Sequence, residues 1–153
     1  MNACSFFGHR DFLADEETTR KLKETITDLI INKNITNFYI GARGMFDSFC
    51  LQCLKELKKS FPQIKIILIA ENLAKISNEV EKTHIERTYD EVIYPSLENC
   101  PPMYIISHKN EWIINNSNFI IFYVYYSWGG ASKFLDIARK KHKDYINLGR
   151  RKL

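Results

Sequence analysis

Long apolar runs are absent from this sequence of 153 residues. No stretch approaches the roughly 20 consecutive apolar residues that cross a bilayer, so we expect no membrane partner. The N-terminal stretch from Met1 to Arg10 is too short and too polar for a secretory signal peptide, because polar residues from Gly8 onward follow the apolar start at once. We therefore expect a cytoplasmic protein.

Cysteine is also scarce, with four residues, and a cytosolic setting would keep them reduced. Cys50 and Cys53 form an isolated C-x-x-C inside a helical pattern, where both face one apolar side. A structural zinc site needs a second ligand pair at suitable spacing, and the sequence has none. We expect buried thiols at these positions, and neither a metal nor a cofactor.

The charge is nearly balanced. The formal net charge is +4, a mild excess that suits an anionic ligand without requiring one. Hydrophobic residues make up 45% and charged residues 26% of the chain, as in ordinary globular proteins. The length is that of one domain, and no linker, repeat or low-complexity tract interrupts it. We expect a single domain over residues 1–153.

Short apolar runs alternate with amphipathic segments along the chain. The expected strands are Ala3–Phe7, Asn37–Ile40, Lys65–Ala70, Glu91–Tyr94, Phe119–Tyr125 and Tyr145–Leu148. The expected helices run from about Asp15 to Asn32, Phe46 to Ser60, Tyr104 to Asn116 and Gly129–Gly130 to Lys141. Residues 71–90 are polar and without a clean period, and we expect a loop with a short helix there. This alternation predicts an α/β, Rossmann-like fold, with a mostly parallel sheet flanked by helices on both faces.

Three predicted strand ends carry unusual loops that precede helices. They are Gly8–Asp11, Gly41–Asp47 and Trp128–Ser132. Glycine accepts positive φ and lets a ligand approach the backbone, while the following helix offers unpaired N–H groups and partial positive charge. Such turns bind anions, usually phosphate, and Arg10 and Arg43 can add bidentate bonds to phosphate oxygens. Since ligands of parallel sheets bind beyond the carboxyl ends of the strands, these loops are the candidate site.

The residues alone leave alternatives open at this site. A glycine turn between a strand and a helix is commonly only a turn, and neither glycine loop is a P-loop or a G-x-G-x-x-G fingerprint. Asp47 would accept from a ribose hydroxyl or cap its own helix. His9 would be a phosphate ligand, a general acid or a loop cap. Trp128 and the tyrosines before it would stack on a base, or pack in the core or at a dimer interface, and Trp112 is expected to pack.

Several segments in order along nearly the whole chain carry a more specific signal. They are Phe6–Asp11, Tyr39–Asp47, Pro101–Pro102 through His108–Trp112, Asn116–Asn118 and Ser127–Ala131. Together they resemble the SLOG superfamily, a Rossmann-like group that includes the LOG phosphoribohydrolases and the DNA-processing protein DprA. The similarity is closer to small stand-alone SLOG proteins of Firmicutes and their mobile elements. The resemblance implies a nucleotide-type ligand over the two glycine loops.

The chain departs from the LOG-type enzymes, which have a glutamate shortly after the second glycine motif and an arginine before it. Here Ala131–Phe134 follows that motif, and no carboxylate appears before Asp136. The resemblance predicts a basic pair that contains arginine before Asn110, but the chain has His108–Lys109 there. Glu111 and Met103 also stand at positions where arginine is expected. Cleavage of an N-glycosidic bond needs an acid for the departing base and charge to hold the phosphate. We therefore expect binding rather than hydrolysis, and no catalytic residue.

The predicted ligand site combines the two glycine loops with polar side chains. Phosphates would lie on the backbones of Gly41–Gly44 and Gly129–Ser132, with charge from Arg10, Arg43 and Lys109 and sugar contacts from Asp47 and Asn110. The full predicted set is Gly8, His9, Arg10, Gly41, Arg43, Gly44, Asp47, Lys109, Asn110, Trp128, Gly129, Gly130, Ala131 and Ser132.

The leading hypothesis is a protein that senses or sequesters a nucleotide or nucleotide-derived ligand. The resemblance implies a role in signalling during conflict between bacteria and phage, anti-phage or anti-defence, and a homodimer or higher homo-oligomer. The first alternative is a LOG-like nucleotide N-glycosidase or phosphoribohydrolase. The second is DprA-like binding of single-stranded nucleic acid, for which Arg139–Lys143 and Arg150–Lys152 supply basic runs. We favour a solvated helix end as the explanation of these runs.

Overall fold

Six parallel strands form one sheet at the centre of the protein. The computed structural model describes residues 2–149, apart from the side chain of Lys75. The strands are β1 (Ala3–Gly8), β2 (Asn37–Ile40), β3 (Lys65–Ile69), β4 (Glu91–Ile93), β5 (Phe119–Tyr123) and β6 (Asp144–Asn147). They lie in the order β4-β3-β2-β1-β5-β6, and each neighbouring pair is parallel. The predicted α/β, Rossmann-like fold is confirmed.

Helices cover both faces of this sheet. They are α1 (Glu16–Lys33), α2 (Gly44–Ser60), α3 (Leu73–Ser77), α4 (Glu79–Thr88), α5 (Ile105–Asn115) and α6 (Gly130–Lys140), with a 3-10 turn at Pro102–Tyr104 before α5. Successive strand residues point to opposite faces. Phe6 and Phe38 therefore pack with α1 and α2, whereas Phe7 and Phe122 pack with α5 and α6.

The amphipathic helices follow their sequence signals closely. Asp15 caps α1, because its Oδ1 accepts from the Thr18 N–H at 2.7 Å, and Asn34 ends the helix with a φ of 54°. Cys50 and Cys53 lie on the inner face of α2 and are free buried thiols, as predicted. None of the helices in the described part of the chain is both long and apolar enough to cross a bilayer.

Residues 71–90 contain more structure than the sequence pattern predicts. Two short helices, α3 and α4, fill the segment in place of a loop with one helix. Each begins at an asparagine: Asn72 Oδ1 accepts from the Ala74 N–H at 2.8 Å, and Asn78 Oδ1 accepts from the Val80 N–H at 3.1 Å. Apolar periodicity does not predict these two helices, because side-chain caps rather than a long apolar stripe define their starts.

The strand order creates a switch point between β1 and β5. From β1 the chain proceeds through β2 and β3 to β4 at one edge, then returns to place β5 on the other side of β1. Phe7 pairs with Phe122, and Gly8 pairs with Tyr123, so both strands end at the same level. In open α/β sheets, ligands bind in the crevice beyond such a point. The loops after β1, β2 and β5 therefore define the place to look for a site.

Candidate functional site

A cleft of about 410 Å³ opens beyond the carboxyl ends of β1 and β5. The predicted ligand residues that line it are Gly8, His9, Arg10, Gly41, Arg43, Asp47, Lys109, Asn110, Trp128, Gly129, Gly130 and Ala131. Gly44 and Ser132 are the predicted residues outside this lining. The fold thus brings together residues from four separate parts of the chain, and their role in binding stays a prediction.

The second glycine loop is open toward this cleft. Gly129 has a φ of +94°, which favours glycine, and no described atom lies within 4 Å of a Cβ placed on Gly129 or Gly130. Within residues 2–149, no side chain caps α6, and the first turn of the helix carries no acidic residue. The first N–H groups of α6, from Gly130 to Ser132, have no partner within the helix. Together with the helix dipole, they suit an anion.

The first glycine loop is closed by its own chain. The Arg43 N–H donates to Asp47 Oδ2 at 3.0 Å, so the carboxylate takes the position that an anionic ligand would take. A Cβ on Gly41 would lie 2.9 Å from the same oxygen, and glycine is needed there for this close approach. Asp47 therefore bonds to the N–H of the residue that precedes α2, a helix that has no other side-chain cap among the described residues. Both alternatives for Asp47, a helix cap or a contact with a sugar, remain predictions.

A charge cluster of graded burial lies beside the closed loop, with Arg43 exposed, Glu71 half-buried and Lys109 buried. Arg43 Nε donates to Glu71 Oε1 at 2.8 Å, Arg43 Nη2 donates to the same oxygen, and Lys109 Nζ lies 3.0 Å from Glu71 Oε2. Lys109 is only 4% exposed, because it lies one turn before Ile113 on the inner face of α5. We call Arg43, Glu71 and Lys109 the ionic triad.

Glu71 of the ionic triad and the neighbouring Asp47 have opposite pKa shifts. Burial raises the pKa of Asp47 to about 6, although the Arg43 N–H and the charge of Lys109 act in the opposite direction. Burial also acts to raise the pKa of Glu71, but its bonds to Arg43 and Lys109 outweigh burial and lower it to about 2. Glu71 is therefore ionised at neutral pH and neutralises one of the two cations, whereas Asp47 titrates close to neutrality.

His9 joins the loop after β1 to the loop after β5. Its Nε2 accepts from the N–H of Tyr125 at 3.0 Å and from the N–H of Tyr126 at 3.2 Å. Burial lowers the pKa of His9, which Asp11 partly offsets, so the neutral ring suits this accepting role. His9 thus caps a loop while also lining the cleft, and only its Nδ1 side is left for the predicted ligand contact.

Aromatic rings stand at the mouth of the cleft. Trp128 is 67% exposed and stacks on Tyr126, with ring centroids 4.7 Å apart and an interplanar angle of 18°. The Tyr126 hydroxyl donates to Asp11 Oδ2 at 3.3 Å, and the ring contacts His9 at 4.6 Å between centroids. Trp112, by contrast, packs against Tyr39 in the core, as predicted. The Tyr126–Trp128 stack leaves an aromatic surface exposed beside the open glycine loop.

Arg10 differs from the other two cleft cations. Its side chain is exposed and makes no ion pair within residues 2–149, while Arg43 and Lys109 are both bound to Glu71. Gly44, with a φ of +81°, brings its backbone close to Arg10, since a Cβ on Gly44 would lie 3.4 Å from the Arg10 Cα. The guanidinium of Arg10 is therefore available to an anion in the cleft.

Sequence reasoning missed several residues of this region. Apolar side chains at the end of β1 and on α5 and α6 form part of the lining, and Asp11 holds Tyr126. The most consequential omission is Glu71, which balances both Arg43 and Lys109. It follows β3 directly, so the rule that sites lie at carboxyl ends of strands would have included it.

Two other predictions concern metal and basic runs. Among the described residues, no group of three or more His, Cys, Asp or Glu side chains could hold a metal ion. Lys143 Nζ donates to the Ser117 carbonyl at 3.2 Å, Lys141 donates to Asn115, and Arg139 donates to the Tyr145 hydroxyl at 3.2 Å. This run lies at the end of α6, near the amino ends of β5 and β6 and away from the cleft. Its side chains contact the protein itself. The run Arg150–Lys152 lies outside the described residues.

Comparisons with known proteins identify the fold. Neither the protein-family models nor the curated proteins give a match to this chain. Among solved structures, it is similar to the X-ray structure of DNA processing protein A (DprA) from Streptococcus pneumoniae, with a TM-score of 0.60 and 13% sequence identity. The match covers 94% of this chain and 49% of the DprA chain, so this chain spans about half the length of that protein. The chain therefore has the DprA-like, Rossmann-like fold that the resemblance to the SLOG superfamily implied.

Proposed function

We propose that this protein binds a nucleotide or nucleotide-derived ligand in the cleft between β1 and β5. The observation that carries the proposal is the open second glycine loop. Gly130 and Ala131 line the aromatic-rimmed cleft at the start of α6, and no described side chain caps this helix. The closed first loop lacks this property, since Asp47 already accepts from the Arg43 N–H.

The phosphate end of the ligand would lie on the first turn of α6. Unpaired N–H groups and the helix dipole favour a dianion there, and Gly129–Gly130 allows close approach of its oxygens. Arg10 has the free guanidinium that can form a charge-assisted bond to the same phosphate. Lys109 and Arg43 contribute less to this subsite, because Glu71 already neutralises part of their charge.

The base would stack on the exposed face of Trp128. The parallel contact between Trp128 and Tyr126 holds the indole as a platform, and aromatic stacking accepts any base. Asn110 lines the inner wall of the cleft and has both donor and acceptor atoms for a sugar hydroxyl. The ligand is thus held by backbone at one end and by rings at the other.

The role we favour is sensing or sequestering a nucleotide signal during conflict between bacteria and phage, as the resemblance to the SLOG superfamily implies. A cytoplasmic location and a homodimer are further parts of this proposal. Light scattering on the purified chain tests the dimer. Cleavage of the N-glycosidic bond stands second, and Asp47, with its raised pKa, is the carboxyl group in the cleft that such an enzyme would use as an acid.

Binding of single-stranded nucleic acid is a further candidate. DprA is a DNA processing protein by name, and the exposed Tyr126–Trp128 stack is a surface on which successive bases can lie. This candidate predicts oligonucleotide binding that weakens steeply with added salt.

Thermal unfolding against a panel of nucleotides tests the proposal. A ligand at about 100 times its dissociation constant adds roughly 2.7 kcal/mol to the free energy of unfolding, a readily measured shift. The panel includes adenosine monophosphate, ADP-ribose, NAD and cyclic dinucleotides, and chromatography afterwards shows whether each is intact. We expect a shift with the ligand recovered intact. A consumed ligand would establish the enzyme instead, and no shift with any nucleotide would refute binding.

Variants locate the ligand. Trp128→Ala and Arg10→Ala should each lower the affinity for the nucleotide that stabilises the wild type. The expected loss is about tenfold or more, corresponding to one lost stack or charged contact. Arg20→Ala is the matched control, because Arg20 makes a surface ion pair with Glu24 on α1, away from the cleft.

A further inference from the structure

A second cleft lies next to the first, beyond the carboxyl end of β3. Its volume is about 360 Å³, within the range of small-molecule sites. The end of β3 forms its floor, α3 and α4 contribute Ile76 and Ile85, and Ala42 closes it on the side of the first glycine loop. The cleft therefore lies one strand further along the same edge of the sheet.

Two cations belong to both clefts. Arg43 and Lys109 line the cleft between β1 and β5 as well as the second cleft, whereas Glu71 lines the second cleft. A molecule that occupies both clefts must pass beside these two side chains. Guanidinium and ammonium groups bind phosphate oxygens well, so the boundary is suited to a phosphate linkage.

The lining of the second cleft suits a nucleoside. Leu68, Ile69 and Ile85 make its buried floor, and half-buried Tyr89 offers an aromatic ring. The exposed side chain of His84 supplies a polar group for the edge of a base. An apolar floor with a few polar groups is the usual character of a small-molecule site.

We propose that the second cleft is a nucleoside subsite, and that the ligand has two nucleoside halves joined through phosphate. One half occupies each cleft, and the linking phosphate lies on Arg43 and Lys109. This inference rests on the proposed function, since the first half is the nucleotide bound between β1 and β5.

Glu71 has a defined part in this arrangement. Its carboxylate holds the same two cations that the linking phosphate needs, so the two anions compete. Glu71→Gln keeps a similar shape and removes the competing charge. The substitution should therefore tighten binding of a two-headed ligand, and it should change binding of a mononucleotide much less, because the phosphate of a mononucleotide lies on α6.

Calorimetric titration of the full chain with matched ligands tests the proposal. The probes are adenosine and guanosine monophosphates, and dinucleoside polyphosphates of the same bases with two or three linking phosphates. We expect a two-headed probe to bind about tenfold more tightly than its mononucleotide, because the second half binds at the effective concentration set by the first. Ile76→Trp, which fills the second cleft, should remove that gain and leave mononucleotide affinity unchanged.

Controls separate a blocked cleft from a damaged fold. Val80→Trp places the same ring at an exposed position on α4 outside the cleft and should keep the gain. His84→Ala removes a rim group with little risk to folding and should lower the affinity for the two-headed probe alone.

Four results would overturn the inference. If two-headed probes bind no more tightly than mononucleotides, or Ile76→Trp weakens both alike, the second subsite is wrong while the proposed function stands. If no nucleotide of either kind binds, both are wrong. If a single-stranded oligonucleotide binds more tightly than every two-headed probe, the small-ligand class is wrong.

Discussion

The two glycine loops at the carboxyl ends of the strands share a local sequence pattern but differ in their hydrogen-bond partners. Each follows a strand, precedes a helix and contains a glycine with positive φ. In the first loop, Asp47 turns back to accept from the Arg43 N–H, and Glu71 binds the Arg43 side chain. In the second loop, the first turn of α6 carries no acidic residue that could bond in the same way. The same local pattern thus gives a turn whose N–H is bonded to its own chain in one place, and a helix N-terminus without an acidic residue in the other.

The difference arises from residues four positions and 28 positions away from Arg43. Asp47 stands one helical turn inside α2, where the equivalent part of α6 carries Lys133 and Phe134. An acidic residue in the first turn occupies the helix N-terminus with the chain's own charge. We therefore expect a glycine turn to favour an anionic ligand where the helix that follows carries no acidic residue in its first turn.

The largest expected effect is on the ionic triad that backs the closed loop. Lys109→Met removes a buried cation and leaves Glu71 with Arg43 as its partner, which should cost about 2–4 kcal/mol of the free energy of unfolding. Urea unfolding monitored by tryptophan fluorescence measures it. Lys140→Met, at an exposed position at the end of α6, is the control and should change stability by less than about 0.5 kcal/mol. Equal effects of the two substitutions would contradict the structural importance of the triad.

The pH dependence of Asp47 gives the next effect. Its pKa of about 6 lies above the ordinary value of 3.8, so the folded protein holds this proton more tightly than the unfolded chain does. The stabilisation is complete below about pH 3.8 and is lost as pH rises through about 6. Asp47→Asn lacks this titration and still offers an acceptor to Arg43.

The comparison of Asp47→Asn with the wild type isolates this residue from other carboxylates. Between pH 4 and pH 7 the variant should gain roughly 1–3 kcal/mol relative to the wild type. Urea unfolding at a series of pH values provides the measurement. Parallel profiles of the two proteins would show that Asp47 titrates normally, and the closed loop would then need another explanation.

The open loop predicts opposite results for adjacent glycines. Gly129→Ala places a side chain at a φ of +94° and should cost about 1–2 kcal/mol, despite the open space around it. Gly130→Ala has ordinary helical backbone and open space, so stability should stay within about 0.5 kcal/mol or rise slightly. Thermal unfolding distinguishes them, and the reverse order would contradict the geometry of this loop.

The smallest expected effect on stability is that of Arg10→Ala. Arg10 is exposed and makes no ion pair with another described residue, so its removal should change the free energy of unfolding by less than about 0.5 kcal/mol. Arg43→Ala, in contrast, should destabilise the protein by about 1 kcal/mol through loss of its partly exposed pair with Glu71. Urea unfolding of the two variants side by side checks the contrast, and equal losses would remove the distinction between a free and an occupied cation.

The sheet and the long helices could be predicted from the sequence because their periods are clear. The strands Asn37–Ile40 and Phe119–Tyr123 are short apolar runs, and α1 has its cap at Asp15. The sequence pattern predicted only one short helix within residues 71–90, because Asn72 and Asn78 start the two helices in a polar segment with little apolar pattern. Local rules find elements that carry their own signal.

The position of the cleft could also be predicted, but its internal pairing could not. The rule for carboxyl ends of strands selects the three loops before any coordinates are known. Which charge meets which depends on contacts between distant residues: Glu71 with Lys109 across 38 positions, and His9 with Tyr125 across 116. Only the assembled sheet brings these groups together, so sequence spacing alone could not show that Arg43 is already occupied.

We propose that the open loop, and not the closed one, receives the phosphate of a mononucleotide. An NMR titration of the ¹⁵N-labelled protein with the mononucleotide that gives the largest thermal shift is the direct test. We expect the backbone amides of Gly130–Ser132 and the indole N–H of Trp128 to shift most, while the amide of Arg43 changes little. The largest shifts at Gly41–Gly44, with Gly130–Ser132 unmoved, would contradict it.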